Sequence, residues 1–392
     1  MKVVIDVSTA LRWVNNNAVG IVRTEREIAR FFIQHHCNTD LIYYDRDEQD
    51  FRRVSQQQIV ALFPDLEAFV PDPSDLISST NAFYSFSSKS VLISAGLQWD
   101  IDFFGVVYNK KKLINFKVIQ VVYDIIPIIM PEYCVPGMDI LFPKFIVDTI
   151  WTADAIFAIS ESTKKDLIAF ADKLKCRYTG PIYTLRLGCD IPSSSFTTDI
   201  QLGLRKDGFV LYISTIEPRK NHRLLFDIWR SFDESEYDSV PKLVFVGNKG
   251  WNTENFVISI ENCVRLYPEK IVLLNNVSDS NLEWLYNNAM FSVYPSLYEG
   301  WGLPIAESLA RGTPCIASNS SSMPEAAGSF CDLLDPFDYT GWKKTIKKYL
   351  ADPELRSEKS KYIKSNYNVQ TWYSAMLSFK HDVDGLLVEW DF

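Results

Sequence analysis

Short apolar runs alternate with stretches of helical periodicity along nearly the whole chain, and the alternation stops once and starts again. A strand buried on both faces reads as a short, continuous apolar run, and successive parallel strands need a crossover, usually a helix, between them. The first half offers Val3–Val7, Leu41–Tyr44, Val91–Ser94, Lys117–Val122, Ala155–Ile159 and Ile182–Leu185 as strands, with Arg23–Ile33 as a helix. Ser160-Glu161-Ser162 caps a further helix, since a serine hydroxyl can accept an orphan backbone N–H there. Residues 190–208, rich in Pro, Ser and Thr and without periodicity, read as a linker. Beyond it the strands are Phe209–Ser214, Lys242–Val246, Lys270–Leu274, Phe291–Tyr294 and Pro314–Ala317; the helices are Leu224–Phe232, Asn281–Asn288 and Pro304–Arg311. The reading is α/β, with two parallel-sheet domains at 1–195 and 196–371, where ligands bind beyond the carboxyl ends of the strands.

Composition narrows the function classes. A net charge of −9 argues against general nucleic-acid binding. Seven scattered cysteines without C-x-x-C spacing point to reduced thiols, not a disulfide frame or a zinc site. Four histidines make a histidine-built metal centre improbable. The start, Met1-Lys2-Val3-Val4-Ile5-Asp6, is too short and charged for a signal peptide. No run approaches the ~20 apolar residues of a membrane span, so the expectation is a cytoplasmic protein, at most peripheral at the inner face of a membrane.

The chemistry concentrates in Ser296-Leu297-Tyr298-Glu299-Gly300-Trp301-Gly302-Leu303-Pro304-Ile305-Ala306-Glu307. Gly300 and Gly302 allow close approach of backbone to a ligand. Pro304 fits the first turn of a helix that runs to Gly312. The amide end of that helix suits a phosphate, with Glu299 in the loop before it and Glu307 about one turn in. A second segment, Ser214-Thr215-Ile216-Glu217-Pro218-Arg219-Lys220-Asn221, lies between a strand and a helix. Its Arg219 and Lys220 suit phosphate oxygens, the one as a fork and the other as a compact charge.

Taken together these segments resemble the retaining glycosyltransferases of family 4. The matching pieces are Val19-Gly20-Ile21-Val22-Arg23, Val122-Tyr123-Asp124-Ile125-Ile126-Pro127, Ala153-Asp154-Ala155-Ile156-Phe157-Ala158-Ile159-Ser160, Glu217-Pro218-Arg219-Lys220-Asn221, Gly247-Asn248-Lys249-Gly250-Trp251 and the Tyr294–Pro304 stretch. The resemblance implies the GT-B architecture, two Rossmann-like domains facing across a cleft, with the segment 372–392 packed back on the first. It also implies transfer of a hexose, mannose favoured, from a nucleotide diphosphate sugar such as GDP-mannose. The acceptor would be a lipid-linked saccharide of bacterial surface polysaccharide, and no metal or other cofactor would be required.

By the same resemblance Glu299 would hold hydroxyls of the donor sugar and Glu307 the ribose, while Lys220 and Arg219 would neutralise the departing diphosphate. Ser296, Gly300, Trp301, Gly302 and Leu303 would contact the sugar or phosphate, Val277 would lie against the base, and Gly20 would approach the phosphates. Fixed cations and helix amides aimed at the leaving oxygens lower the barrier without a metal. Asp124, at a strand end, would orient the acceptor or help move its proton; equally, it reads as a turn-forming aspartate before Pro127. Two positions depart from the pattern: Thr215 where many relatives carry Arg, and Tyr123 where many carry His.

Other readings stay open. A metal-dependent glycosyltransferase needs a D-x-D motif, and Asp45-Arg46-Asp47, Asp100-Ile101-Asp102 and Asp382-Val383-Asp384 all match one. A nucleotide-sugar epimerase of related fold would consume donor without acceptor, and a non-catalytic sugar-binding subunit would not turn over. Lys110-Lys111-Lys112-Leu113-Ile114-Asn115-Phe116-Lys117 reads as a solvated turn or as a contact with anionic lipid.

Overall fold

The computed structural model describes residues 2–15, 20–69, 82–99, 101–176, 178–191 and 203–390. Val19, Asp100 and most of the linker, 192–202, lie outside them. The chain divides into two compact units. One comprises Met1–Ile129, Gly137–Gly188 and Thr371–Phe392; the other comprises Met130–Pro136 and Cys189–Gln370.

Among the described residues the first unit holds a seven-stranded sheet in the order β3-β2-β1-β4-β5-β6-β7. The strands are β1 Lys2–Asp6, β2 Thr39–Asp45, β3 Asp50–Arg53, β4 Ser90–Ser94, β5 Lys117–Val122, β6 Ala155–Ala158 and β7 Ile182–Thr184. All pair in parallel except β3, which runs antiparallel to β2. The sequence reading missed β3, because Asp50-Phe51-Arg52-Arg53 carries one apolar residue and the turn before it has no Gly or Pro. Asp45 builds that turn: its carboxylate accepts the N–H groups of Asp47 and Glu48 and pairs with Arg52 at 2.6 Å. It is therefore committed to the hairpin.

The amphipathic helix Ile21–His35 buries Val22, Ile28, Ala29, Phe31 and Phe32. The terminal helix Trp372–Glu389 closes on the same unit, its first turn capped by Thr371. Phe379 sits edge-on to Phe157 at 4.6 Å and to Phe32 at 5.9 Å between ring centroids. Burying that ring is worth about 2–3 kcal/mol. Where the chain leaves this unit, a side chain on Gly188 would stand 2.4 Å from the Trp372 backbone nitrogen, so only glycine fits.

The second unit holds a six-stranded parallel sheet in the order β10-β9-β8-β11-β12-β13. Its strands are β8 Phe209–Ile213, β9 Lys242–Val246, β10 Ile271–Leu274, β11 Phe291–Tyr294, β12 Cys315–Ser318 and β13 Asp332–Leu334. Period-two geometry splits its core. Val210 and Tyr212 join Leu225, Ile228 and Trp229 on one face, while Phe209 and Leu211 join Leu285 and Tyr286 on the other. Among the described residues no helix is long and apolar enough to cross a membrane.

Candidate functional site

The strand order in the second unit's sheet reverses between β8 and β11, the neighbours from which the chain winds outwards on either side. In open α/β sheets ligands bind beyond the strand ends at such a reversal. The loops leaving β8 and β11 there are the two segments singled out from sequence, 214–221 and 295–302.

After β8 the chain makes a tight turn over Pro218–Lys220 and exits through Asn221 at φ 58° into the helix His222–Arg230. Asn221 tolerates that left-handed backbone and donates through Nδ2 to the carbonyls of Pro295 (3.1 Å) and Pro336 (3.0 Å). The Leu297 N–H donates to the Arg219 carbonyl at 2.8 Å, tying the loops together. Tyr212, buried on β8, donates its hydroxyl to the Lys220 carbonyl at 2.5 Å and lies 3.3 Å from Ser296 Oγ. The turn carrying both cations is thus fixed from below.

The loops join in a chain of alternating charge. Lys220 Nζ lies 2.6 Å and 2.7 Å from the two carboxylate oxygens of Glu299. Arg219 reaches Glu299 at 3.0 Å and the carbonyl of Tyr298, and its other amino group pairs with Glu217. Burial alone would raise the Glu299 carboxyl, but Lys220 and Arg219 outweigh it and hold it down at about 2. Burial wins at Glu217, whose carboxyl is raised despite Arg219. His222 stands behind Lys220, pushed down to about 3 by burial first and Lys220 second, so its imidazole stays neutral at physiological pH. Thr215 is exposed; the second cation comes from Arg219.

Three serines after β12 hold the Glu299 loop. Ser320 Oγ donates to the Leu297 carbonyl at 2.6 Å, and Ser321 Oγ accepts the Glu299 N–H at 2.8 Å. Ser322 Oγ bridges the carbonyls of Glu299 (2.8 Å) and Trp301 (2.7 Å). Gly300 is buried, and the buried Trp301 indole nitrogen has no hydrogen-bond partner among the described residues. Gly302 takes φ 119°, a conformation that L side chains rarely adopt, and accepts the N–H groups of Ile305 and Ala306 as the helix Leu303–Ala310 begins. Glu307 is buried on that helix and accepts the Tyr286 hydroxyl at 2.7 Å.

The remaining predicted residues are placed as follows. Val277 immediately precedes Ser278, the cap of the helix Asp279–Asn288. Gly20 starts the helix Ile21–His35 at φ 52°. Asp124 follows β5 and accepts the Ile126 N–H at 2.9 Å, the turn-building half of its reading. Tyr123 donates to the Ala95 carbonyl at 2.7 Å and is buried. Of the other D-x-D aspartates, Asp102 lies 3.8 Å from Lys144 and Asp384 pairs with Lys380 at 2.6 Å. Lys110 pairs with Asp50, and Lys111 and Lys117 with Asp154, so these three lysines serve ion pairs within the first unit.

Sequence reasoning gave no role to Tyr212, to Glu217 or to the Ser320–Ser322 clamp. Their partners lie on another strand or loop, or in a turn whose shape the sequence leaves open; the run of serines after β12 was the one available signal. It also missed a buried polar group at the reversal between β1 and β4 of the first unit. There Asp6 accepts from Ser8 and from Gln98 (2.9 Å), and Glu25 accepts the Ala10 N–H. Burial raises both carboxyls. A side chain on Gly96 would stand 2.3 Å from Glu25, which accounts for the glycine there.

The glycosyl transferases group 1 family matches residues 197–366, the stretch that carries both loops. O-antigen chain mannosyltransferase B of Escherichia coli is 30% identical over 240 residues, covering 60% of this chain and 61% of that protein. The serotype-specific mannosyltransferase WbdA of Escherichia coli is 26% identical over 253 residues, covering 62% of this chain and 30% of that one. The chain resembles the bacterial O-antigen mannosyltransferases. Both matches span less than two thirds of those relatives' own length. Among solved structures, sucrose-phosphate synthase from Thermosynechococcus elongatus superposes with TM-score 0.70 at 16% identity, over 99% of this chain and 100% of that one. HepE from Anabaena, solved in complex with UDP and glucose, gives 0.65 at 13%, over 98% and 100%. At that identity the likeness concerns the fold, which is GT-B: two parallel-sheet α/β domains.

Proposed function

We propose that the chain is a retaining, metal-independent glycosyltransferase. It moves a hexose, mannose by preference, from a nucleotide diphosphate sugar to a lipid-linked saccharide in the synthesis of bacterial surface polysaccharide. The observation that carries the proposal is the cluster Glu217–Arg219–Glu299–Lys220 at the reversal of the second sheet, beside the amide end of the helix Leu303–Ala310. The names of the Escherichia coli relatives support the sugar and the pathway.

Cleavage of a sugar–diphosphate bond builds negative charge on the leaving oxygens and positive character on the sugar ring. Lys220 and Arg219 take the first, held before the reaction by Tyr212 and by the Arg219–Leu297 backbone bond. Once the donor is seated, fixed charge of this kind stabilises the transition state with little further reorganisation. Glu299 grips hydroxyls of the sugar, and Glu307 the ribose, its carboxylate aligned by Tyr286. Ser296, Gly300, Trp301, Gly302 and Leu303 form the wall between them, and Val277 leads into the base subsite. The acceptor hydroxyl attacks from the face the diphosphate leaves, and a phosphate oxygen takes its proton. Asp124 is assigned to shaping its turn, consistent with its bond to Ile126.

A thermal-shift panel of nucleotide sugars tests the donor. Any ligand that binds only the folded protein stabilises it by mass action, about 2.7 kcal/mol at a hundredfold excess over Kd. GDP-mannose should raise the Tm of the wild type and leave that of Lys220→Ala unmoved. No shift with any nucleotide sugar would remove the proposal.

A further inference from the structure

Glu299 occupies the nitrogens that a diphosphate needs. Both of its oxygens lie on Lys220 Nζ, at 2.6 Å and 2.7 Å, and one also meets Arg219 at 3.0 Å. The three side chains are 15%, 17% and 12% exposed, so water screens the arrangement only in part. Glu217, 2% exposed, engages the other side of Arg219. Two carboxylates and two cations balance, and the cluster has no surplus positive charge to offer an incoming anion. Phosphate oxygens that approach Lys220 therefore compete with Glu299 for its charge.

What becomes of the displaced carboxylate depends on the ligand. The Glu299 backbone is pinned at N–H and carbonyl by Ser321 and Ser322, so the loop stays and the side chain alone turns. A buried carboxylate without donors is costly. An intact nucleotide sugar brings hydroxyl donors that can satisfy it. A bare nucleoside diphosphate has hydroxyls only on its ribose, which the proposed function gives to Glu307, so it brings none to Glu299 and adds negative charge beside it.

We infer that Glu299 is an internal competitor of the phosphates and thereby the residue that selects the intact nucleotide sugar against the nucleoside diphosphate left after transfer. This rests on the proposed function, and it adds a consequence that sugar gripping alone lacks. Removing the carboxylate must strengthen the binding of the wrong ligand. The same competition drives the leaving group out: once the sugar has gone, Glu299 reclaims Lys220 and Arg219.

Isothermal titration of the full chain with GDP, UDP and inorganic pyrophosphate, and with GDP-mannose and UDP-glucose, tests this in wild type, Glu299→Gln, Glu299→Asp and Lys220→Met. In Glu299→Gln the bare diphosphate that binds the wild type should bind at least tenfold more tightly. The matching nucleotide sugar should gain less or weaken, so that their ratio falls at least tenfold. Glu299→Asp keeps the charge on a shorter side chain and should gain less affinity for the bare diphosphate than Glu299→Gln. Glu299→Ala serves as a second neutral variant should the glutamine form fail to fold. Unchanged or weaker binding of the bare diphosphate in the neutral variants, with Lys220→Met abolishing it, would overturn the inference while leaving the site in place. Binding indifferent to Lys220→Met would overturn the site and the inference together.

Discussion

Replacing Glu299 by Gln should cost stability in a pH-dependent way, and the structure sets the size. The folded protein holds this carboxyl at about 2, against an ordinary 4.5. Each pH unit of difference corresponds to ~1.4 kcal/mol, so the ionised carboxylate, net of the opposing effect of its burial, contributes about 3.5 kcal/mol at most. Gln keeps the shape and accepts one hydrogen bond through its amide oxygen, and Arg219 retains Glu217, so the expected loss at pH 7 is about 1–2 kcal/mol. The sign follows from the depressed value. Stability from Glu299 is complete above 4.5 and is lost as pH falls through about 2. Glu217, raised by burial, works in the opposite direction, but it is present in both proteins and largely cancels in their difference. Calorimetry of wild type and Glu299→Gln from pH 7 to pH 3 should show a gap of about 2–6 °C in Tm, flat down to about pH 5 and less than half as large at pH 3. A gap of equal size at pH 7 and pH 3, or none at pH 7, would refute the ion-pair reasoning.

Other substitutions probe the supports of the site. Tyr212→Phe removes the hydroxyl beneath the Lys220 carbonyl; kcat/KM should fall about tenfold, with a stability loss of about 1–2 kcal/mol by urea unfolding. Gly302→Ala forces a side chain into φ 119° and to 3.3 Å from Ala326 and Ile305. It should lose about 1–2 kcal/mol in thermal unfolding and raise the KM for the donor at least tenfold. A KM unchanged in that variant would place the donor elsewhere.

How much of this was legible in the sequence depended on range. Strands such as Lys117–Val122, Lys242–Val246 and Phe291–Tyr294 were readable because both faces are buried and the apolar run is continuous. Strand β3 was not, because its partner β2 and the Asp45–Arg52 pair define it, not its own residues. The site divides in the same way. Gly302 and Pro304 announce a helix start by their own conformational limits, and the motif carried Glu299, Glu307 and Lys220. That Lys220 and Glu299 grip each other is a contact across 79 positions, which spacing cannot show. The Ser320–Ser322 clamp and Tyr212 belong to that class. The lysines 110–117 show the converse: a basic run in sequence whose Lys110, Lys111 and Lys117 resolve into pairs with Asp50 and Asp154.

The central claim is transfer driven by Lys220 and Glu299, and product analysis tests it most directly. The protein is incubated with GDP-mannose, excess EDTA and a lipid-linked saccharide acceptor; nucleoside diphosphate and glycosylated acceptor are counted, and the anomeric configuration of the product is determined. The account predicts one diphosphate released per acceptor extended, with retained configuration. Lys220→Ala, Glu299→Ala and Glu307→Ala should each be slowed at least ~100-fold, about 3 kcal/mol of transition-state stabilisation. Consumption of the donor without acceptor, an inverted product, or wild-type rates in Lys220→Ala would contradict it.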